Sequence, residues 1–460
     1  MIDLSPLKSR LNKKPVAILG LGLSGTHTFL ACKSAGIETA VWDDNPAAVE
    51  EAVKKGATPE DLAKADIRRF SYLCMAPGIP PTHPAAIAAK KAGVPVVCDI
   101  ELFHLAHPKM KTIGITGTNG KSTTTALIGH ILKSAGVKSA VGGNIGDAAL
   151  SLSQLPEGSV YVFELSSYQL DLCDTFSPDI SILINVSPDH LERHGTMEGY
   201  IAAKKRIFRG KGTAIVGLDD EWALPVYGEV ANSARDAIPV SCLNPLIEGV
   251  CVTEDGILKD NGRVIFGLKP CRTLQGRHNW QNAAMAYAAC HAAGVATDKI
   301  TAALLTFPGL AHRQNIVSVI NGVSYINDSK ATNDQAAGVA LATFNPVYWI
   351  AGGKSKGSGY ADCEKYLSHV HHAFLIGAAE GEMSKWLAEK KIPFTKCGTM
   401  EKAVLAAHLM AQKERLENAA VLLSPACASF DQFKNFEHRG DVFVRLVQGL
   451  MQQDIKGATA

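Results

Sequence analysis

The 460 residues are more than one hydrophobic core usually holds, so the length predicts two to four domains. Lys and Arg total 46 against 44 Asp and Glu, and this near balance argues against a dedicated nucleic-acid or membrane-surface protein. No apolar run approaches the ~20 residues that span a bilayer, and the N-terminus lacks the pattern of a signal peptide. Eleven scattered cysteines, none in a CxxC pair, are typical of buried thiols in a reducing cytosol.

The chain alternates short apolar runs with helical patterns, which predicts parallel, doubly wound sheets. Strands are predicted at 15–20, 38–42, 72–75, 111–116, 160–163, 180–184, 324–326, 347–350, 373–376 and 420–423. Helices are predicted after the glycine-rich segment at 20–25 as far as about 35, from 122 to about 132, and from 279 to 293. Residues 213–275 hold short apolar segments separated by turn signals, and we interpret them as a small antiparallel addition.

The predicted fold class is therefore α/β with three domains. A Rossmann-like N-terminal domain is expected at 1–105. A central domain at 106–308 is expected to have a parallel sheet like that of P-loop ATPases, with the small antiparallel addition. A Rossmann-like C-terminal domain is expected at 309–460.

A glycine-rich phosphate loop, TGTNGKS, follows the strand predicted at 111–116. Such a loop needs backbone amides that point at phosphate, a lysine that reaches the outer phosphates and a hydroxyl that holds the metal. Lys121 and Ser122 have these positions, and a helix follows. Ile115 stands where the strict Walker pattern has glycine, so a strand–turn–helix corner with a chance GKS remains the alternative.

Acidic and imidazole groups follow the next two strands of this unit. Glu164 directly ends the strand at 160–163, where a carboxylate could anchor Mg²⁺; a helix cap or a surface carboxylate is the alternative. His190 follows the strand at 180–184 and could bind a divalent ion, supported by Asp189 or Glu192. A structural histidine is the alternative. Three strand ends that meet at one rim of a sheet favour the functional interpretation.

Lys204 lies on the apolar face of a predicted helix, together with Tyr200, Ile207 and Phe208. A buried lysine must be paired, neutralised or modified. The alternative is that its aliphatic stem lies along the surface and its ammonium reaches solvent.

The segment GLGLSG at 20–25 also follows a strand, and Asp43 ends the next strand. Together they are typical of a dinucleotide site, although a lone GxGxxG is a weak signal. Asp43 could instead cap the helix that follows.

Several longer segments resemble one family, the Mur ligases of peptidoglycan synthesis, which share a plan with folylpolyglutamate synthases. The TGTNGKS loop is similar to that superfamily's variant phosphate loop. Further segments resemble its ATP-binding motifs: GRHNWQN at 276–282, FPGLAHR at 307–313 and DSKATN at 328–333. Within the family the chain is closest to the branch that adds D-glutamate, through GLGLSG, APGI at 76–79, GGNIG at 142–146 and LSPACASFDQFKNFEHRG at 423–440.

The resemblance assigns roles residue by residue. ATP is expected to contact Gly117, Thr118, Asn119, Gly120, Lys121, Ser122, Thr123, Asn282, Arg313 and Asp328. The UDP-linked substrate is expected to contact Leu23, Ser24, Asp43, Gly78, Asn144 and His190, with the GLGLSG amides on its diphosphate. D-Glutamate is expected to contact Thr332, Lys356, Ser429 and Phe436, with Lys354 a local competitor of Lys356.

The resemblance also implies two Mg²⁺ sites, which Mn²⁺ could occupy. Ser122 and Glu164 would hold one ion; His190 and Lys204, carbamylated and therefore carboxylate-like, would hold the other. The catalytic residues implied are Lys121, Glu164, His190 and Lys204.

The activity implied is ATP-dependent ligation of D-glutamate to UDP-N-acetylmuramoyl-L-alanine through an acyl phosphate. This cytoplasmic step of peptidoglycan synthesis serves cell shape and division. We expect a monomer that needs neither nucleic acid nor membrane, and whose third domain closes on the second to exclude water. The alternatives are another Mur or folylpolyglutamate-type amide ligase, an NAD-dependent oxidoreductase, or a binding module with a degenerate phosphate loop.

Overall fold

The structure, a computed structural model, describes residues 1–355, 357 and 359–458, with side chains described as far as Met451. The chain divides into two compact units, Met1–Phe307 and Pro308–Ala460. Within the described residues the first unit contains two β-sheets and the second unit contains one. Among these residues no helix is both long enough and apolar enough to cross a bilayer. All eleven cysteines are buried, as the sequence predicted.

The first sheet is formed by short, buried strands that are all parallel. Its strands are β1 (Val16–Leu19), β2 (Thr39–Trp42), β3 (Tyr72–Met75) and β4 (Val96–Val97). Its helices are α1 (Leu23–Ser34), α2 (Pro46–Lys54), α3 (Pro84–Ala92) and α4 (Asp99–Ala106). The spatial order is β2-β1-β3-β4. Every residue of β1 is buried because a parallel sheet is covered by helices on both faces.

The second sheet places its phosphate-loop strand between two other parallel strands. The strands are β5 (Lys111–Thr116), β6 (Ser139–Gly143), β7 (Val160–Glu164), β8 (Ile180–Leu183), β9 (Gly212–Gly217), β10 (Arg235–Ser241), β11 (Val250–Val252), β12 (Ile257–Asp260) and β13 (Arg263–Gly267). The helices are α5 (Lys121–Ser134), α6 (Ser167–Asp171), α7 (Leu191–His194), α8 (Met197–Lys205), α9 (Ala223–Ala231), α10 (Arg277–Ala292) and α11 (Thr297–Thr306). The order is β13-β12-β11-β10-β9-β8-β5-β7-β6, so the carboxyl ends of β5, β7 and β8 share one rim.

The predicted antiparallel addition at 213–275 is only partly right. β9, β10 and β11 continue the parallel sheet, and α9 connects the first two of them. Only β12 and β13 run antiparallel. The error has a physical cause: a short strand's apolar pattern shows that it is buried but not which strand it pairs with, because pairing is a long-range contact.

The second unit is built on one mixed sheet. Its strands are β14 (Asn315–Ile320), β15 (Val323–Asn327), β16 (Val347–Gly352), β17 (Val370–Ile376), β18 (Phe394–Gly398) and β19 (Ala420–Leu423). Its helices are α12 (Asp334–Thr343), α13 (Ala361–Glu364), α14 (Glu380–Glu389), α15 (Met400–Glu414) and α16 (Phe436–Ala458). The order is β14-β15-β19-β16-β17-β18, parallel except for the β14–β15 pair. Side chains on both faces of this sheet form apolar clusters, as expected for a doubly wound unit.

Candidate functional site

The phosphate loop connects β5 to α5 as predicted. Gly120, with φ +83°, is the N-cap of α5, so a helix N-terminus with its partial positive charge stands at the loop. Lys121 Nζ donates hydrogen bonds of 2.8 Å to the carbonyl oxygens of Gly117 and Thr118. Ser122 and Thr123 are buried in the first turn of the helix. The Lys121 ammonium therefore lies against the phosphate loop, where it is expected to contact the outer phosphates.

Two backbone amides of this loop donate their hydrogen bonds to a single residue, Asn185. The amides of Thr118 and Asn119 donate to the backbone oxygen and to Oδ1 of Asn185, each at 2.9 Å. Gln281 fixes the Asn185 side chain, whose Nδ2 donates to Gln281 Oε1 at 3.3 Å. Because Asn185 engages these two amides, we expect an anion to bind to the amides at the start of α5 instead. Asn185 was not among the predicted site residues, although its position just after a strand beside β5 was a usable signal.

Asn282, which the sequence assigns to ATP, lies directly behind Gly120. A Cβ atom on Gly120 would be 2.2 Å from Asn282 Oδ1. The same oxygen accepts a 3.2 Å hydrogen bond from Thr124, and Nδ2 donates to Asn279 Oδ1. Asn282 therefore sets the shape of the loop from a buried position, whatever it contacts in the nucleotide.

Glu164 ends β7 on the same rim as the phosphate loop. Its Oε1 accepts a hydrogen bond from Asn144 Nδ2 at 3.1 Å. The backbone N–H of Asn144 also donates to the backbone oxygen of Glu164. These contacts join a residue that was predicted to bind the UDP-linked substrate to one that was predicted to bind Mg²⁺. Glu164 Oε2 is buried and has no hydrogen-bond partner among the residues that the structure describes. A buried carboxylate oxygen is costly unless a cation or donor meets it.

Lys204 is buried, so the solvent-exposed alternative is wrong. The side chain is on the inner face of α8 and the residue is 1% exposed. Its Nζ donates to the Gly117 oxygen at 2.8 Å and lies 4.4 Å from the centre of the Tyr200 ring. Burial, followed by the charge of Lys121, holds the pKa of Lys204 well below its ordinary value. Burial at the phosphate loop therefore favours the neutral amine form of this lysine.

His190 stands on a more open part of the rim, immediately before α7. It is in the left-handed region, with φ +54°, and its side chain is 44% exposed. Its Nδ1 lies 3.0 Å from Tyr168 Oη and 3.5 Å from Glu192 Oε1, and its Nε2 lies 3.5 Å from Asp189 Oδ2. The exposed imidazole is thus oriented by the two acidic neighbours that the sequence proposed and by one tyrosine that it did not.

A divalent ion fits the rim through the chemistry of its donors. Among the described residues no group of three or more His, Cys, Asp or Glu side chains is arranged to hold a metal. The predicted ligand set differs in kind, because it includes the Ser122 hydroxyl and a modified Lys204. The unpartnered Oε2 of Glu164 is the observation that supports a cation here.

The glycine-rich loop at 20–25 starts α1, and Asp43 holds it. Asp43 Oδ2 accepts a 2.6 Å hydrogen bond from the Leu21 amide, and Oδ1 accepts one from the Asn45 amide. The cap of α2 is Asn45, so the alternative that Asp43 caps this helix is wrong. Of the other predicted substrate contacts, Leu23 and Gly78 are exposed and Ser24 is half-buried.

In the second unit, Asp328 joins two of the quoted motifs. It follows β15 and accepts hydrogen bonds from the Gln314 amide at 3.1 Å and from Ser424 Oγ at 2.7 Å. Arg313, one residue before Gln314, is thereby held near this carboxylate. Burial raises the pKa of Asp328 to about 7, against the hydrogen bond from Ser424, which lowers it.

Three of the predicted D-glutamate residues, Thr332, Ser429 and Phe436, lie around the same end of this unit. The Lys330 ammonium is 5.4 Å from the Phe436 ring centre, and the Thr332 amide donates to the Lys330 oxygen. Ser429 is buried. Lys356 lies outside the described residues, and its competitor Lys354 is an exposed residue whose backbone pairs with that of Ala428.

Arg439 lies within the motif at 423–440 but was not among the predicted site residues. It is fully buried, and its guanidinium donates to Ser329 Oγ at 3.0 Å, to the Ser329 oxygen at 2.9 Å and to the Cys427 oxygen at 3.1 Å. Burial lowers the pKa of Arg439 to about 10. It therefore ties the segments of Thr332, Ser429 and Phe436 together, a role that only the tertiary structure shows.

Comparison with known proteins gives consistent matches. The family described as the Mur ligase middle domain matches residues 115–290. A UDP-N-acetylmuramoylalanine–D-glutamate ligase from Paramagnetospirillum magneticum is 46% identical over 449 residues, which is 96% of this chain and 98% of that protein. The protein of the same name from a Caulobacter species is 46% identical and covers 97% of this chain and 98% of its own length. The protein of the same name from Rhodospirillum rubrum is 44% identical and covers 95% of this chain and 94% of its own length.

Solved structures show the same fold at much lower identity. UDP-N-acetylmuramate-alanine ligase MurC from Thermotoga maritima matches with a TM-score of 0.61 at 18% identity, over 95% of this chain and 99% of that one. MurF from Acinetobacter baumannii matches with a TM-score of 0.57 at 18% identity, over 76% of this chain and 80% of that one.

Proposed function

Since this chain belongs to the Mur ligases, and within them to the UDP-N-acetylmuramoylalanine–D-glutamate ligases, we propose how its own residues perform that reaction. The enzyme joins D-glutamate to UDP-N-acetylmuramoyl-L-alanine at the expense of ATP, a step of peptidoglycan synthesis. The observation that supports the residue assignments is that the phosphate loop, the buried and unpartnered Oε2 of Glu164 and the buried Lys204 lie on one rim.

The first chemical step needs ATP at the phosphate loop. Lys121 leaves the carbonyl oxygens of Gly117 and Thr118 and donates to phosphate oxygens instead. The first backbone amides of α5 donate hydrogen bonds to the same negatively charged phosphates. The substrate carboxylate then attacks the γ-phosphorus, ADP leaves, and a carboxyl oxygen gains the phosphoryl group. The product is an acyl phosphate.

The second step forms the amide. The amine of D-glutamate attacks the acyl carbon, loses a proton, and inorganic phosphate leaves. Thr332, Ser429 and Phe436 hold D-glutamate in this proposal, because Arg439 and Ser329 bring their segments together in the second unit. Lys356 has the same proposed role.

Two Mg²⁺ ions are proposed as cofactors. Ser122 and Glu164 would hold one, and His190 and carbamylated Lys204 the other; bound there, Mg²⁺ neutralises charge that develops on phosphate oxygens. Carbamylation adds CO₂ to the neutral Lys204 amine with release of one proton, and the lowered pKa of Lys204 supplies that neutral form.

Substrate binding by the N-terminal domain completes the proposal. In this proposal the loop at 20–25, held by Asp43, binds the UDP diphosphate. Asn144 would contact the sugar-peptide end of the substrate, and His190 would also contact the substrate. Asn282, Arg313 and Asp328 position ATP. We also propose a cytoplasmic monomer with domains at 1–105, 106–308 and 309–460, on the support of the family and of three separate sheets.

Phosphate release measured with UDP-N-acetylmuramoyl-L-alanine, ATP and D-glutamate tests the activity. The expected result is release that needs all three substrates and Mg²⁺, with a mass gain of one glutamyl residue in the product. ATP-independent turnover, or equal use of L-glutamate, would overturn it.

A further inference from the structure

Arg193, which has no assigned role, connects the two sheets of the first unit at the candidate site. We propose that Arg193 is a positioning residue, which holds the turn at 76–79 so that the glycine-rich loop can bind the UDP-linked substrate. The inference rests on the proposed function, because it concerns the substrate that the loop is proposed to bind.

The contact is a charged hydrogen bond across the unit. Arg193 Nη1 donates to the backbone oxygen of Ile79 at 2.8 Å. Arg193 belongs to α7, which follows the β8 end of the second sheet, whereas Ile79 follows β3 of the first sheet. A donor with a full charge makes a stronger bond to a carbonyl than a neutral donor does.

The guanidinium is also fixed from its other side. Its central carbon lies 4.8 Å from the centre of the Tyr168 ring, the geometry of a cation–π contact. Tyr168 Oη is the atom that lies 3.0 Å from His190 Nδ1. The Tyr168 side chain therefore contacts both Arg193 and His190.

The turn that Arg193 holds packs directly on the glycine-rich loop. The Ile79 amide donates to the Ala76 oxygen at 3.0 Å, which closes the turn. A Cβ on Gly20 would be 2.7 Å from Ala76 Cβ and 3.1 Å from Ile79 Cγ1. With no space between turn and loop, a shift of the turn moves the loop amides that receive the diphosphate.

Two groups hold the Arg193 guanidinium in place. The Ile79 oxygen takes one amino group, and the ring of Tyr168 takes the face of the guanidinium. The residue couples the position of the UDP-binding loop to the segment that presents His190, and it does so without touching either reacting group.

The test compares Michaelis constants of Arg193→Leu and wild-type enzyme, with Arg263→Leu as the matched control. Arg263 is exposed in the β12–β13 hairpin, so its variant removes the same charge far from any predicted substrate contact. For Arg193→Leu we expect the KM of UDP-N-acetylmuramoyl-L-alanine to rise about tenfold and the KM of ATP to stay within about twofold. Arg263→Leu should leave both constants unchanged.

Direct titration of UDP-N-acetylmuramoyl-L-alanine into ATP-free protein should show the same tenfold loss. Unchanged affinity in Arg193→Leu would overturn the proposal, and so would an equal loss for ATP, which would indicate a general folding role. If Arg193→Leu does not fold by circular dichroism, Arg193→Gln serves for the same comparison. Failure of the proposed function itself would be distinct, because wild-type protein would then neither bind this substrate nor release phosphate.

Discussion

Lys121 and Lys204 direct their ammonium groups at a single oxygen: each Nζ lies 2.8 Å from the carbonyl oxygen of Gly117. After burial, the positive charge of Lys121 is the next cause of the lowered pKa of Lys204, because it would repel an ammonium at that position. A carbamate on Lys204 would reverse the sign of this interaction. The pair therefore connects the phosphate loop to the proposed modification.

The proposed modification predicts the behaviour of Lys204→Ala. We expect kcat to fall by about 100-fold or more, because the variant loses a metal ligand, and formate or acetate to restore part of the activity by supplying a carboxylate. Lys205→Ala is the matched control, since the neighbouring Lys205 pairs with Glu229 at the surface and should be dispensable. Full activity of Lys204→Ala without added carboxylate would contradict the role.

The close approach of Gly120 to Asn282 predicts a defect in Gly120→Ala. The new Cβ would be 2.2 Å from Asn282 Oδ1, and φ +83° costs a residue with Cβ about 1–2 kcal/mol. We expect kcat/KM for ATP to fall about 100-fold, as a misplaced loop would cause.

Gly136→Ala is the control at the other end of the same helix. Gly136 has φ +80° and open space around its Cβ position, so it shares the backbone strain without the clash. Equal loss of ATP affinity in both variants would assign the defect to strain alone and contradict the role of Asn282.

The unpartnered oxygen of Glu164 predicts a changed requirement for Mg²⁺ in Glu164→Gln. The amide keeps an oxygen for Asn144 but loses the negative charge, so the Mg²⁺ concentration for half-maximal activity should rise about tenfold or more. Glu157→Gln removes a carboxylate from an exposed site in the same unit and should leave the Mg²⁺ curve unchanged. An unaltered curve for Glu164→Gln would remove it from the metal site.

The raised pKa of Asp328 predicts a dependence of stability on pH. With a pKa of about 7 when folded and 3.8 in the reference state, the folded chain binds more protons than the unfolded chain between these values. The free energy of unfolding should therefore fall as pH rises from about 4 to about 7, by about 4 kcal/mol relative to Asp328→Asn.

Urea unfolding at pH 5 and pH 8, followed by tryptophan fluorescence, measures this difference. Asp362→Asn serves as the exposed control, because that carboxylate pairs with Lys365 at the surface. A stability difference between wild type and Asp328→Asn that is the same at both pH values would show that Asp328 does not titrate in this range.

The strands that carry the candidate site, β5, β7 and β8, and the phosphate loop were predictable because they depend on local pattern. A buried strand such as β5 needs an apolar run, and the turn to α5 needs glycine, so both leave marks in adjacent residues. The inward position of Lys204 was predictable for the same reason, from the apolar residues Tyr200, Ile207 and Phe208 three and four positions away, although this pattern left open whether the ammonium reaches solvent.

The pairing of β9 with β10, the support of the loop by Asn185, and the contact of Arg193 with Ile79 required the folded chain. Each joins segments that are distant in sequence, and a residue's type does not state which distant group it will meet. By itself, then, the sequence determined the elements, the order of the motifs and the family, because these are properties of neighbouring residues. Only the tertiary structure decided which side chain holds which loop, and that both Lys121 and Lys204 meet the oxygen of Gly117, because those contacts depend on how the strands align.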